Sequence, residues 1–229
     1  MSMIFEKLEA HSNNFKKILS ENAFRKEENH AFDWENIIYE NAYIRRAHLD
    51  IIDLRKEKKM YMMHLCIFPK FWDSSPIYGF DLVAGQNKVT GAFHDFSPVT
   101  KEVHPMSEWF AEEASVHSWT RTRELPEWAR NIFSEGMIAA SNIQTEFELD
   151  SFLNLSLKSL KYYIEGLCKY QPDLLYEDKI NNQIYKDSQN YYCYNQKQNP
   201  HTPRVLESLG FERETIQKFI TTCLFPEVE

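Results

Sequence analysis

The connections between residues 54 and 97 are too short to hold a helix. "RKEKK" (55–59) separates the run 36–54 from "MYMMHLCIF" (60–68), and "GQNK" (85–88) separates 77–84 from 89–96. Parallel neighbours need a crossover of about a dozen residues or more. Turns this short therefore impose antiparallel pairing, and regularly spaced β-branched runs predict a meander. The reading is one strand over 36–54, then strands over 60–68, 77–84 and 89–96, with a proline-bounded loop at 69–76.

Outside this block the period is helical. Helices are expected over 3–22, from 105 through "PMSEWFAEEASVHSW", in "ELPEWARNIF" with its early proline, over 148–170, over 174–198, and beyond "NPHTP". A further strand is expected within 134–142. Strands and helices in blocks predict an α+β fold, an antiparallel sheet covered by helices, in one domain over 1–229.

Charge and cysteines narrow the function classes. The net charge is −8, the wrong sign for neutralising phosphates, so nucleic-acid binding is not expected. No run of about 18 apolar residues is present, so no membrane span is expected. The N-terminus is amphipathic and carries acids, unlike a signal or transit peptide. Cys66, Cys168, Cys193 and Cys223 lie far apart with no CxxC spacing. Reduced thiols in a cytoplasm are expected, with no zinc ribbon or iron–sulfur site. No GxGxxG, GxxxxGK[ST] or GxSxG supports nucleotide or acyl-transfer chemistry.

The informative residues are polar ones inside apolar strands. Side chains two apart share a sheet face. Three adjacent strands can therefore present Asp50, His64 and Asp81 to one face, with His48 beside Asp50. Buried carboxylates and imidazoles are costly unless paired or functional. A proton-transfer site is one reading; a hydrogen-bonded core histidine and a metal site are the others. His94 and Asp95 alternate, so one of them points away from that face.

"HLCIFP", "PIYGFDLVAG" and "VTGAFHDFSPV", followed in order by "RELPEWARNIFSE" (123–135) and "QNPHTPRVLESLGF" (198–211), resemble the ferredoxin-dependent bilin reductases. The branch most similar is phycocyanobilin:ferredoxin oxidoreductase, over roughly residues 34–220. The resemblance implies a three-layer α/β/α sandwich with biliverdin IXα between the sheet and the C-terminal helices. It implies no bound metal or flavin, and reduced ferredoxin as donor of single electrons through radical intermediates. By the same resemblance Asp81 and His64 are the catalytic aspartate and histidine, and His48 a second pocket histidine. Asp50 stands where the branch has the glutamate that protonates the D-ring vinyl group. Asn199, His201 and Arg204 are substrate-binding candidates, Arg204 for a propionate.

The chain also departs from that pattern. The turn after Asp50 is two residues longer. Pro200 and His201 replace an Asp and a Lys, and no Arg follows "FSE". Asp in place of Glu marks a subgroup known from viral metagenomes that makes phycoerythrobilin, and that product is the expectation. The alternatives are phycocyanobilin on the same fold, or a non-catalytic bilin carrier. A monomer in the cytoplasm, of the host if virus-encoded, is expected. Ferredoxins are acidic, so Arg45, Arg46 and the 55–59 turn are the expected docking bases.

Overall fold

The computed structural model describes residues 2–26, 32, 34–169 and 179–229. Seven strands form one antiparallel sheet whose spatial order is its chain order, β1 to β7. They are β1 Phe24–Lys26, β2 Glu35–Glu40, β3 Ile44–Leu54, β4 Met60–Pro69, β5 Ile77–Gly85, β6 Val89–Ser97 and β7 Ile138–Ala140. The helices are α1 Met3–Asn22, α2 Pro105–Ser115, α3 Glu127–Arg130, α4 Glu146–Lys169, α5 Lys179–Gln196, α6 His201–Leu209 and α7 Arg213–Lys218. A π-helical segment, Phe219–Leu224, follows α7 directly.

Two apolar layers flank the sheet. Met63, Leu65 and Ile67 of β4 point into a core shared with Phe15 and Leu19 of α1, Phe110 of α2, and Phe152 and Tyr163 of α4. The alternate residues Cys66 and Phe68 point into a second core with Tyr192 and Cys193 of α5, Leu206 of α6, and Phe219 and Cys223 of the π segment. The molecule is therefore a three-layer α/β/α sandwich. With both faces covered, the strands read as nearly continuous apolar runs rather than strict alternations.

Local chemistry sets the element ends. Thr145 and Glu148 open α4: the Glu148 N–H donates to Thr145 Oγ1 at 3.2 Å, and the Glu148 carboxylate accepts from the Thr120 N–H at 2.6 Å. His104 Nδ1 accepts from the Met106 N–H at 3.1 Å and caps α2, whose Pro105 sits where its missing N–H costs nothing. Gly210, with φ of 98°, ends α6 in the left-handed region.

The strand expected over 36–54 is two strands. Asn41 Oδ1 accepts from the Tyr43 and Ile44 N–H groups at 2.8 and 2.6 Å. This Asx turn folds β2 back on β3 without a glycine or proline to mark it. β1 was not anticipated, and all three of its residues are exposed. The expected helix over 174–198 is seen as Lys179–Gln196; residues 174–178 lie outside the described residues.

The expected basic face is also corrected. Arg46 is buried and donates to the Cys223 carbonyl at 2.9 Å. The Arg45 guanidinium lies 4.8 and 4.9 Å from the Phe68 and Phe71 ring centroids and bonds Gln189. Arg55 is ion-paired with Asp53 and Glu9 at 2.7 and 2.8 Å. Because β3 is covered on both faces, its bases are built into the fold. Lys56, Lys58 and Lys59 remain as the exposed bases of that turn.

Candidate active site

The hairpin registers place Asp50 opposite His64, and His64 opposite Asp81. Directly paired positions share a face with Cβ atoms about 4.5–5.5 Å apart. Two carboxyls therefore flank one imidazole in a single row across β3, β4 and β5. The neighbouring row on that face runs His48, Cys66, Gly79 and Asp95. Gly79 keeps its stretch open: a Cβ there would meet Tyr192 Oη at 3.4 Å.

The row forms the floor of a cleft of about 300 Å³. Asp50, His64 and Asp81 line it, under Trp128, Phe133, Tyr192, Phe219 and Phe225. The π segment contributes Phe219 and Leu224 to this wall; such irregular turns recur at functional sites. Asn199 and His201 line the cleft, and Asn199 Oδ1 accepts from the His201 N–H at 2.9 Å.

Two candidates fall outside it. His48 is fully buried on the same sheet face beside the floor, with Nε2 on Asn36 Oδ1, Cys223 Sγ at 3.5 Å, and its ring 6.1 Å from that of His64. Arg204 is exposed and does not line the cleft. Of the alternating pair, the His94 ring faces the α4 layer, bonded to Ser159 Oγ and the Gly79 carbonyl at 2.6 Å each. Asp95 faces the cleft side, accepting from Ser97 Oγ at 2.6 Å, from the Ser134 N–H at 3.0 Å and from Ser134 Oγ. Sequence reasoning missed Arg123, which lines the cleft from the segment before α3. A base beside an acid ahead of a proline reads as solvated loop.

Burial dominates the electrostatics. It pushes Asp81 up to about 7, although the Arg123 guanidinium and the Leu82 N–H pull the other way. Burial, and then the charge of Asp81, raise Asp50 well above the usual carboxylate range. Burial also lowers His64 to about 4. Near neutrality Asp81 is thus poised between its two forms, burial biases Asp50 toward its protonated form, and the imidazole between them is neutral. That is the protonation order of a general-acid site. The His64 Nδ1 is buried and has no hydrogen-bond partner among the described residues, an opening that a polar ligand would complete. Among the described residues, no three His, Cys, Asp or Glu side chains are grouped to hold a metal ion, and no helix is long and apolar enough to cross a membrane.

A proton donor of this kind sets a pH dependence. Asp81 carries its proton below about 7 and loses it above. A step that consumes this proton slows as pH rises through 7, approaching about tenfold per unit above it. Single-turnover rates between pH 6 and 9 are expected to show this fall; a flat or rising profile would remove Asp81 from the role.

Comparison with known proteins identifies the family. A family model described as ferredoxin-dependent bilin reductase matches residues 5–226. The chain is similar to the phycocyanobilin:ferredoxin oxidoreductase of Gloeobacter violaceus, 29% identical over 184 residues that cover 79% of this chain and 69% of that one. Its counterpart from Prochlorococcus marinus is 31% identical over 169 residues, 74% and 66% of the two chains. Among solved structures, a protein named PcyX is 31% identical with a TM-score of 0.70, over 97% of this chain and 99% of that one. Phytochromobilin synthase from tomato, solved in complex with biliverdin, superposes with a TM-score of 0.74 over 96% and 82% of the chains. At 14% identity, that likeness speaks to fold alone.

Proposed function

The chain belongs to the ferredoxin-dependent bilin reductase family, and on that premise we propose that it reduces biliverdin IXα to phycoerythrobilin by way of 15,16-dihydrobiliverdin. The observation that carries the proposal is the Asp50–His64–Asp81 row at the floor of an aromatic cleft. Each two-electron step adds two electrons and two protons, so the full reaction consumes four of each. Ferredoxin supplies the electrons one at a time, with no resident cofactor in this reading. The protein supplies protons and a dry surface. Asp81 can hold a proton near neutrality, burial biases Asp50 toward its protonated form, and neutral His64 between them can pass a proton on. Trp128, Phe133 and Phe219 supply apolar surface for a conjugated tetrapyrrole. The tomato synthase that shares this fold holds biliverdin.

The choice of phycoerythrobilin rests on Asp50. Reducing the D-ring vinyl group needs a proton delivered to it. A glutamate would extend about one C–C bond, roughly 1.5 Å, further. A misplacement of about 1 Å can cost 10²-fold in rate. The short side chain therefore leaves the vinyl unserved while the C15 bridge and the A-ring system are reduced. A second reading, phycocyanobilin as product, is favoured by the names of the similar proteins from Gloeobacter and Prochlorococcus.

Anaerobic turnover with reduced ferredoxin and biliverdin, followed by chromatography, separates the two. The expected course is transient 15,16-dihydrobiliverdin and then phycoerythrobilin, with Asp50→Glu diverting part of the product to the 18-ethyl form. An 18-ethyl product from the unaltered chain would establish phycocyanobilin instead. Bound but unreduced bilin would mark a carrier.

A further inference from the structure

Gly79 is a soft point in the cleft floor. It stands inside β5 opposite Cys66 and Asp95, and it lines the cleft two residues ahead of Asp81 on the same sheet face. Its missing side chain makes room for Tyr192, whose Oη lies 3.4 Å from the place of a Cβ. A glycine inside a strand brings backbone freedom and no packing. Support comes from the other side of the sheet. The His94 ring, in the α4 layer, puts Nδ1 2.6 Å from the Gly79 carbonyl.

Each donor around that ring has its own acceptor. A carbonyl only accepts, so Nδ1 carries the proton and Nε2 the lone pair. Ser159 Oγ, 2.6 Å from Nε2, therefore donates to it. The Ser156 carbonyl, 3.0 Å from Ser159 Oγ, is served instead by Tyr78 Oη, also at 3.0 Å. His94 is 1% exposed, and its ring is flanked by those of Tyr78 and Phe110, with centroids 4.9 and 4.7 Å away. Burial lowers it to about 4, so it is neutral near pH 7. One imidazole thus joins α4 to a single carbonyl of β5, and the ring cannot turn without breaking both bonds. We infer that His94 is a positioning residue: through the Gly79 carbonyl it fixes the strand that carries Asp81, and so holds that carboxyl opposite His64. Its ring acts from the far face of the sheet, and only the activity arm of the test rests on the bilin reading above.

The test has a spectroscopic arm and an activity arm. Nitrogen-15 spectra of histidine-labelled protein, with the His94 signal identified by its loss in His94→Asn, should show the proton on Nδ1, the minor tautomer of a free histidine side chain in water. Activity is compared in the unaltered chain, His94→Asn, His94→Gln and His94→Leu, as the anaerobic single-turnover rate with reduced ferredoxin and saturating biliverdin. The asparagine amide nitrogen stands near the place of Nδ1 and can still serve the Gly79 carbonyl; the glutamine amide nitrogen stands near that of Nε2 and cannot. His94→Asn should therefore keep most of the rate, and His94→Gln and His94→Leu should lose about tenfold, short of the 10²-fold that about 1 Å of misplacement can cost. Biliverdin affinity should stay within a few-fold in all of them, because the loss falls on the step and not on binding. Where His94→Leu does not fold, the Asn and Gln pair decides, since both remove the same contact with Ser159. A proton on Nε2, equal rates in Asn and Gln, or a rate that only follows the melting temperature overturns the positioning role and leaves the bilin reading standing. Biliverdin left unreduced by the unaltered chain overturns both.

Discussion

Asp81→Asn is expected to lower bilin reduction by about 10²–10⁴-fold, the usual contribution of a general acid, while pigment binding stays within a few-fold. Asparagine keeps the shape and the polar surface of the cleft floor and removes the Asp81 proton. Electrons would still arrive from ferredoxin, so a one-electron-reduced pigment should accumulate, visible by electron spin resonance and in the absorbance spectrum. The fold should not suffer. Folded Asp81 keeps its proton up to about pH 7, against 3.8 for the ordinary group. The unfolded chain gives up that proton near pH 4. The native state therefore binds more protons between the two values, and stability falls as pH rises across them. Asparagine does not titrate, so the variant should melt at the same temperature or higher above pH 7. A variant retaining more than a tenth of the rate would transfer the role to His64 or Asp50.

Asp95→Ala should do the reverse. The same residue type lines the same cleft, 1% exposed, but its oxygens are already committed to Ser97 Oγ and to both the N–H and Oγ of Ser134. The two Ser134 contacts tie β6 to the segment carrying Phe133 and Met137 into the cleft. Burial raises Asp95 to about 6 even against these donors, so it is mostly ionised at pH 7 and acts as an acceptor. Alanine leaves the donors without their acceptor, at a cost of about 2–4 kcal/mol. For a chain of this size that is roughly 5–15 °C in melting temperature. Asp95→Asn keeps one acceptor oxygen and should lose less. Turnover measured well below the melting point should change little; loss of turnover in a variant with an unchanged melt would place Asp95 in the chemistry.

These two aspartates show where sequence reasoning reaches and where it stops. The row of Asp50, His64 and Asp81 was legible because side-chain direction alternates strictly along a strand, and "RKEKK" and the loop after Pro69 set which residues meet. One such constraint per hairpin is enough to align three strands. Asn41 defeated the same logic, because the polar pair Glu40–Asn41 inside "IIYENAYIRR" reads as part of a loosely alternating strand and brings no glycine or proline to mark a turn. Asp95 and His94 could be recognised as facing opposite ways, but their choice of face depends on Ser134 and Ser159, far along the chain. Arg45 and Arg46 read as surface charge because nothing local reports that the segments carrying Gln189 and Cys223 close over them. Arg123 was hidden for the same reason: its place in the cleft comes from pairing beside β7.

The strictly sequential order of the sheet bears on how the molecule comes to exist. Every strand pairs with its immediate predecessor in the chain, so hairpins can zip one after another as the polypeptide emerges from the ribosome. From β2 to β6 each strand finds its mate across a short connection, a local pairing that favours fast folding, and only the three-residue β7 returns to β6 across α2 and α3. The cleft roof is different. Phe219, Leu224 and Phe225 meet the floor only after nearly all of this sequence has been synthesised. A nascent chain would thus hold a finished sheet with its row of ionisable groups still open to water. The carboxyls would then titrate as ordinary acids, and the site would acquire its proton-holding character in the last moments of folding, when the aromatic wall closes over them.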